Sequence, residues 1–274
     1  MPDGNKNRGF KNKPVVLQLG TGLGTTFPGG TEIPGGIVEV LRPVVEYAMT
    51  KYGMRVWLKY NGWGEGFERS EIFQARYDET RVGYEPGGSM DTSVFPTPTD
   101  LEKALEDHSS YVCFQDAFLN DQTTIYRIQN DLAPKIGTQI TIQSFNYPLN
   151  ANSGQNIQLT FTFKNSGVVP LLRPHRVGIK DEVASYDIFV NLVSSSGQVV
   201  RHETFTPSTP TYQWNQDVTI TETRTFTIPS VSSGQYTLKI GILDPDKNEG
   251  VKLVSTFSGN ACSGYNAGTI TIGS

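Results

Sequence analysis

The sequence predicts an α+β chain of two domains. The first is a partial (β/α) barrel-like parallel sheet of about four βα units over residues 1–134. The second is an antiparallel β-sandwich, Ig-like or jelly-roll-like, over residues 135–274. Three observations carry this reading. Short apolar runs alternate with helical patterns in the first half, which is how βαβ units read. Pro134 and Gly137 then interrupt the pattern. After them the chain shows only strand-like segments separated by turn residues.

Four segments of the first half are rich in β-branched or aromatic residues: Val15 to Leu19, Arg55 to Lys59, Arg81 to Tyr84, and Tyr111 to Phe114. They recur about every thirty residues, the length of one βα unit. Between the first two, Ile37, Leu41, Val44, Val45, Ala48 and Met49 fall at helical spacing and stop at Gly53. Pro43 inside that run predicts a kink or a later start. A second helix is expected over Glu68 to Tyr77. A third is expected from an N-cap at Thr99 with Glu102 completing a capping box, and a fourth from Asp121 to Leu132.

The strands expected of the second half are Thr138 to Asn146, Asn156 to Lys164, Ala184 to Ser194, Gln198 to Phe205, Val218 to Ile228, Gln235 to Leu243, Val251 to Phe257 and Thr269 to Ile272. Every second side chain is apolar in Ile157, Leu159, Phe161, Phe163 and again in Tyr236, Leu238, Ile240, Ile242, so each strand buries one face. Gly154, Gly197 and Gly234 stand in Ser-containing turns just before strands, as turn chemistry requires.

Charge and length exclude some partners. The net charge of −4 and the lack of extended Lys/Arg runs give no footprint for nucleic acid or anionic lipid. No apolar run approaches the ~20 residues of a membrane span. Met1 to Pro14 is polar and carries no signal-peptide core, so export is either absent or its signal has been removed or replaced. Cys113 and Cys262 fall in different expected domains. A bridge between them requires those domains packed together; otherwise they are two thiols, one buried in a strand and one in a late loop.

The run from Ile140 to Pro174 contains Ile-Thr-Ile-Gln-Ser-Phe-Asn-Tyr-Pro, the turn Ser166-Gly167-Val168-Val169-Pro170 and Leu172-Arg173-Pro174. Further on stand Gly234-Gln235-Tyr236-Thr237-Leu238, Leu243-Asp244-Pro245, and Gly264-Tyr265 with Gly268. This pattern resembles the C-terminal sandwich of bacterial glycoside-hydrolase-like β/α-barrel proteins that carry a domain of unknown function. The resemblance covers Lys135 to Ser274 well and the first half loosely; the Arg-Pro element and the Gly-Tyr ending carry most of it. It implies an upstream barrel, extracellular or periplasmic placement, and a polysaccharide or oligosaccharide ligand. The chain departs from it by showing four barrel strands where eight would close one. A fragment of a longer protein, a second chain completing the barrel, or a small open sheet would each account for that.

Glycoside hydrolysis generally uses two carboxylates flanking the scissile bond, and barrels mount them at the C-terminal ends of strands. Glu85 directly follows Arg81 to Tyr84 and precedes Pro86-Gly87-Gly88, which makes it the first catalytic candidate. If the four strands are a barrel's last four, the partner of Glu85 would end a strand this chain lacks, so the isolated chain is expected to lack a complete catalytic pair. The structural alternative is a Glu85 that caps its loop or pairs with an Arg. Asp116, after the fourth strand, is a weaker second acid, and Gln115 beside it is a hydrogen-bonding candidate. Asn61, Trp63 and Glu65 lie in the Gly-rich stretch Tyr60 to Gly66, expected as a loop where an aromatic stacks on a sugar or closes the barrel top.

No cofactor or metal is implied. Leu19-Gly20-Thr21-Gly22-Leu23-Gly24 lacks the glycine spacing of a dinucleotide fingerprint, and a Pro/Gly stretch stands where its helix should begin. Asp244 to Gly250 has calcium-like oxygen spacing, but its glycine is late and Ser255 replaces the bidentate Glu, so a hairpin turn is expected. The three histidines are isolated from one another and from both cysteines. A non-catalytic module that binds glycan or protein is the alternative to a hydrolase-like protein.

Overall fold

The computed structural model describes residues 15–20, 36–52, 56–63, 80–86, 97–114, 121–172, 185–255 and 257–274. They fall into two compact units that divide between Thr138 and Gln139. The expected helix over Glu68 to Tyr77 lies outside the described residues.

The first unit is a four-stranded sheet of β1 (Val15–Gly20), β2 (Val56–Trp63), β3 (Val82–Pro86) and β4 (Tyr111–Val112), in that spatial order. All three pairings are parallel. Helix α1 (Gly36–Tyr52) links β1 to β2 and carries Pro43 within it, so the helix begins well before the proline. Helix α2 (Pro98–Glu106) precedes β4, and α3 (Gln122–Arg127) follows it and continues as a π-helical turn over Ile128–Leu132.

The cap of α2 differs from expectation. Thr97, two residues before Thr99, is the N-cap: its hydroxyl accepts the Asp100 N–H at 3.2 Å, and the Asp100 carboxylate accepts the Thr97 N–H at 2.9 Å. Pro98 explains the choice, because its fixed φ and missing N–H suit the first helical position rather than the cap. The helix expected from Asp121 begins one residue later, at Gln122, with Asp121 as its N-cap, accepting the Thr124 N–H at 2.7 Å.

Strand order without reversal, joined by right-handed crossovers, puts successive helices on the same side of a sheet. The core agrees. Val45 and Met49 of α1, Leu101 and Ala104 of α2, and Leu132 pack with Val56, Leu58, Val82 and Tyr84. Because strand side chains alternate, this gives the sheet one face covered by helices and a second made of the intervening residues.

The second unit consists of two sheets. One holds β10 (Thr219–Thr227), β7 (Asn156–Asn165) and β5 (Ile140–Asn146), all antiparallel. The other has the order β13 (Gly259–Asn260), β14 (Gly264–Gly273), β11 (Gly234–Asp244), β8 (Asp187–Ser194), β9 (Val199–Phe205). Short β12 (Glu249–Val251) pairs with β11, and β6 (Asn150–Asn152) pairs with β14 in parallel, which makes this sheet mixed. Leu159, Phe161 and Phe163 of the first sheet share one core with Val190, Leu192, Leu238 and Ile240 of the second. Phe161 stacks on Phe205 at 5.5 Å between ring centroids.

The alternation read in β7 and β11 is present as burial, and Gly154 and Gly197 take positive φ before β7 and β9. Asp244 to Gly250 is the expected hairpin, with Asp244 opposite Glu249. Two strands of this unit depart furthest from their expected limits. The one placed over Val251 to Phe257 ends at Val251, because Leu253 N–H turns to the Tyr265 hydroxyl at 2.8 Å and Val254 N–H to Ile140 O at 2.9 Å. The last strand begins at Gly264 rather than Thr269, since β11 accommodates it through an irregularity between Leu238 and Lys239. Both cysteines are free thiols, and Cys113 is exposed just past β4 rather than buried in a strand.

Candidate functional site

On the sheet face away from the helices, the described side chains of β2 through β4 form a charged and aromatic strip. Trp57 and Lys59 alternate with the buried Val56 and Leu58, and Glu85 follows the buried Tyr84. Lys59 and Glu85 form an ion pair, their side chains 18% and 22% exposed. Glu85 stands one residue before the end of β3, so the pair sits near the C-terminal edge of the sheet.

The other end of the strip is aromatic. The Arg81 guanidinium lies over the Trp57 ring, 5.0 Å from its centroid, and Trp57 and Tyr111 rings are 6.5 Å apart. The Tyr111 ring covers Gly83, its opposite residue on β3. Burial, chiefly, with further pushes from Cys113 and Glu85 against an opposing pull from Arg81, raises the Tyr111 phenol to about 12. The phenol is therefore neutral across the physiological range.

Of the residues expected to form the site, Glu85 is placed with its partner, a lysine where an arginine or a loop was the alternative. Asn61 and Trp63 lie on β2 itself rather than in a loop after it: pairing continues with Asn61 opposite Glu85 and, past a register shift, Trp63 opposite Pro86. The ladder with β3 extends the strand beyond Lys59, and this overrides the turn preference of Gly62. Glu65, Gln115 and Asp116 lie outside the described residues. Trp57, Lys59, Arg81 and Tyr111 were not singled out from sequence. Their signal was parity: once Val56 and Leu58 face the helices, Trp57 and Lys59 face the other way.

Among the described residues of this face Glu85 is the one carboxylate, and no group of three or more His, Cys, Asp or Glu is gathered for a metal. None of the described helices is long and apolar enough to cross a membrane.

No family model and no curated protein matches the chain. Among solved structures it is similar to the CARDB domain of a Pyrococcus furiosus protein in complex with di-metal ions, at 12% identity over 49% of this chain and 93% of that one, TM-score 0.27. It is also similar to a β-glucosidase from Listeria innocua in complex with glucose, at 10% identity over 80% of this chain and 36% of that one, TM-score 0.30. A third is the alkylpurine DNA glycosylase AlkC of Pseudomonas fluorescens, at 8% identity over 90% of this chain and 56% of that one, TM-score 0.28. Similarity this weak carries no argument about activity.

Proposed function

We propose that this chain is a carbohydrate-active protein, a fragment or relative of a β/α-barrel glycoside hydrolase with an accessory β-sandwich, and that it engages sugar at the C-terminal edge of its parallel sheet. On this reading the two domains meet within residues 134–139, and the chain works outside the cytoplasm, extracellularly or in the periplasm. The observation that supports the reading best is the position of Glu85, a partly exposed carboxylate at the end of a parallel strand, on the face turned from the helices. Barrel enzymes carry their working residues there. Sugar hydroxyls donate to such a carboxylate, while the Lys59 ammonium donates to ring and hydroxyl oxygens.

A non-catalytic role has its own support. Glycosidases place two carboxyl groups roughly 5 to 10 Å apart, and Glu85 has an ammonium beside it instead. On this second reading the strip binds glycan or a partner protein without cleaving it.

The test measures melting of the full chain against a panel of soluble polysaccharides, with reducing-sugar release assayed in parallel for wild type and Glu85→Gln. Release that disappears in Glu85→Gln establishes a self-sufficient hydrolase. Stabilisation without release, lost in Glu85→Gln, establishes a binding module. Neither effect on any polysaccharide removes the carbohydrate reading for this chain alone.

A further inference from the structure

Strand β10 ends its sheet. β7 occupies one edge of it through nine paired residues, and among the described residues no backbone hydrogen bond reaches the other edge. Its sequence, Thr-Ile-Thr-Glu-Thr-Arg-Thr-Phe-Thr, has its midpoint at Thr223 and presents threonine at each outward position read in either direction. All five threonines are exposed. Across the occupied edge, Thr223 and Thr160 hydroxyls meet at 3.0 Å, and Gln158 donates to Thr225 at 2.9 Å.

The inward face carries the charges. Arg224 Nη2 lies 3.0 Å from Glu222 Oε2 and donates to Thr206 O at 3.0 Å, while its Nε is buried without a partner. Inward charges on an edge strand ordinarily discourage pairing. Here Glu222 is matched by Arg224 and held by Ser208 and Thr209, so an added strand meets no bare charge of one sign.

We propose that the free edge of β10 is an interface with a second copy of this chain, the two β10 strands pairing antiparallel about a two-fold axis at Thr223. This joins two three-stranded sheets into one, by an isologous contact. The register follows from the sequence. With Thr223 opposite itself, all nine residues of each strand are paired. Thr221 then stands opposite Thr225 of the partner subunit, and Glu222 falls at the register position of Arg224 of the partner subunit, so unlike rather than like charges are matched along the seam. Each neighbouring register that keeps the faces matched opposes Glu222 to Glu222 or Arg224 to Arg224 and leaves an end of each strand unpaired. The contact is small beside the ~800 Å² per partner of a standard interface, so association is weak and reversible. The inference is independent of the carbohydrate reading.

Sedimentation equilibrium of the full chain over a concentration series tests it. Wild type gives a reversible monomer–dimer equilibrium. Thr221→Lys with Thr225→Lys sets lysine against lysine at both symmetric pairs and weakens association about tenfold or more. Thr221→Lys with Thr225→Glu sets opposite charges in the same places and restores or strengthens it. These positions are exposed, and their β7 neighbours Thr162 and Gln158 are uncharged, so melting curves verify that both variants fold. A wild type monomeric at every concentration, or a double-lysine variant that associates unchanged, overturns the interface. A Lys/Glu variant as weak as the double-lysine one overturns the two-fold register.

Discussion

Tyr111 lies over Gly83 so closely that a Cβ built on the glycine would stand 2.4 Å from the tyrosine Cζ. Gly83 is thus the gap in the strip that lets an aromatic ring lie against the sheet between Trp57 and the Lys59–Glu85 pair. Gly83→Ala forces the ring aside and costs about 1–3 kcal/mol, the usual range for overpacking. Denaturant unfolding of Gly83→Ala, Tyr111→Ala and the double variant checks it. The two effects are strongly non-additive, because with the ring gone the methyl group fits. Simple additivity would show that ring and glycine are not coupled.

The same burial makes a prediction in pH. A phenol raised from 10.0 to about 12 holds its proton more tightly folded than unfolded. Its contribution to stability is therefore complete below pH 10 and is lost as pH rises toward 12. Tyr111→Phe removes this dependence. The difference in phenolate absorbance between wild type and Tyr111→Phe shows one tyrosine titrating late; a difference curve centred near 10 rules out the buried phenol.

How far sequence reaches is visible in these residues. Strand alternation in β7 and β11 is legible because one face of each is buried against the opposite sheet, which writes period two into the chain. β6 was not legible, since Asn150-Ala151-Asn152 has no strand propensity and pairs only because it reaches the end of β14. The α2 cap was misplaced because Thr97 and Thr99 each have an acid three residues on, and only the position of Pro98 separates them. At the site, Glu85 was legible from its place at a strand end. Lys59 was not, because it contacts Glu85 through the register of two parallel strands, which local sequence does not encode.

The Gly-Tyr ending that marks the resemblance has a structural basis. The Tyr265 hydroxyl accepts from Leu253 N–H at 2.8 Å, and Gly268, at φ +141°, lies so near Tyr147 that a Cβ would stand 1.9 Å from its hydroxyl oxygen. Gly268→Ala combines that clash with a backbone conformation L-residues avoid, and costs on the order of 2 kcal/mol. Thermal unfolding measures it. Adding Tyr147→Phe to Gly268→Ala relieves the clash but not the backbone strain, so it recovers only part of the loss; full recovery would assign the whole cost to the side chain.

Glu222 is buried at the edge of the second unit's core, where one oxygen accepts from Ser208 N–H at 2.8 Å, from Ser208 Oγ at 2.7 Å and from Thr209 N–H at 3.3 Å. Its other oxygen meets Arg224. Glu222→Ala leaves the Ser208 and Thr209 donors without their acceptor and the Arg224 guanidinium, 32% exposed, without its counter-charge, and orphaned donors of this kind cost on the order of 1–3 kcal/mol. Replacing Arg224 by methionine as well removes the orphaned charge and recovers part of the loss. Denaturant unfolding of the pair of variants decides it, with no recovery in the double variant as the adverse result.

Asn165 holds the turn that follows β7 by making four hydrogen bonds from a buried side chain. Its Nδ2 donates to Val169 O and to Trp214 O, both at 2.8 Å, and its Oδ1 accepts from Gln139 N–H at 3.1 Å and Gly167 N–H at 3.0 Å. Every donor and acceptor of the amide is used, and this fixes the start of β5, the turn after β7 and the segment before β10 to one point. Asn165→Asp keeps the shape but replaces two donors by an oxygen that faces two carbonyl oxygens. Leaving those carbonyls unpaired and burying a carboxylate beside them costs on the order of 3 kcal/mol at neutral pH. Acid relieves part of this, because a protonated carboxyl regains one donor, so the gap between wild type and Asn165→Asp narrows as pH falls. Unfolding of both proteins at neutral and acidic pH measures the gap; one that stays constant or widens on acidification would show that the amide's donors do not hold the turn.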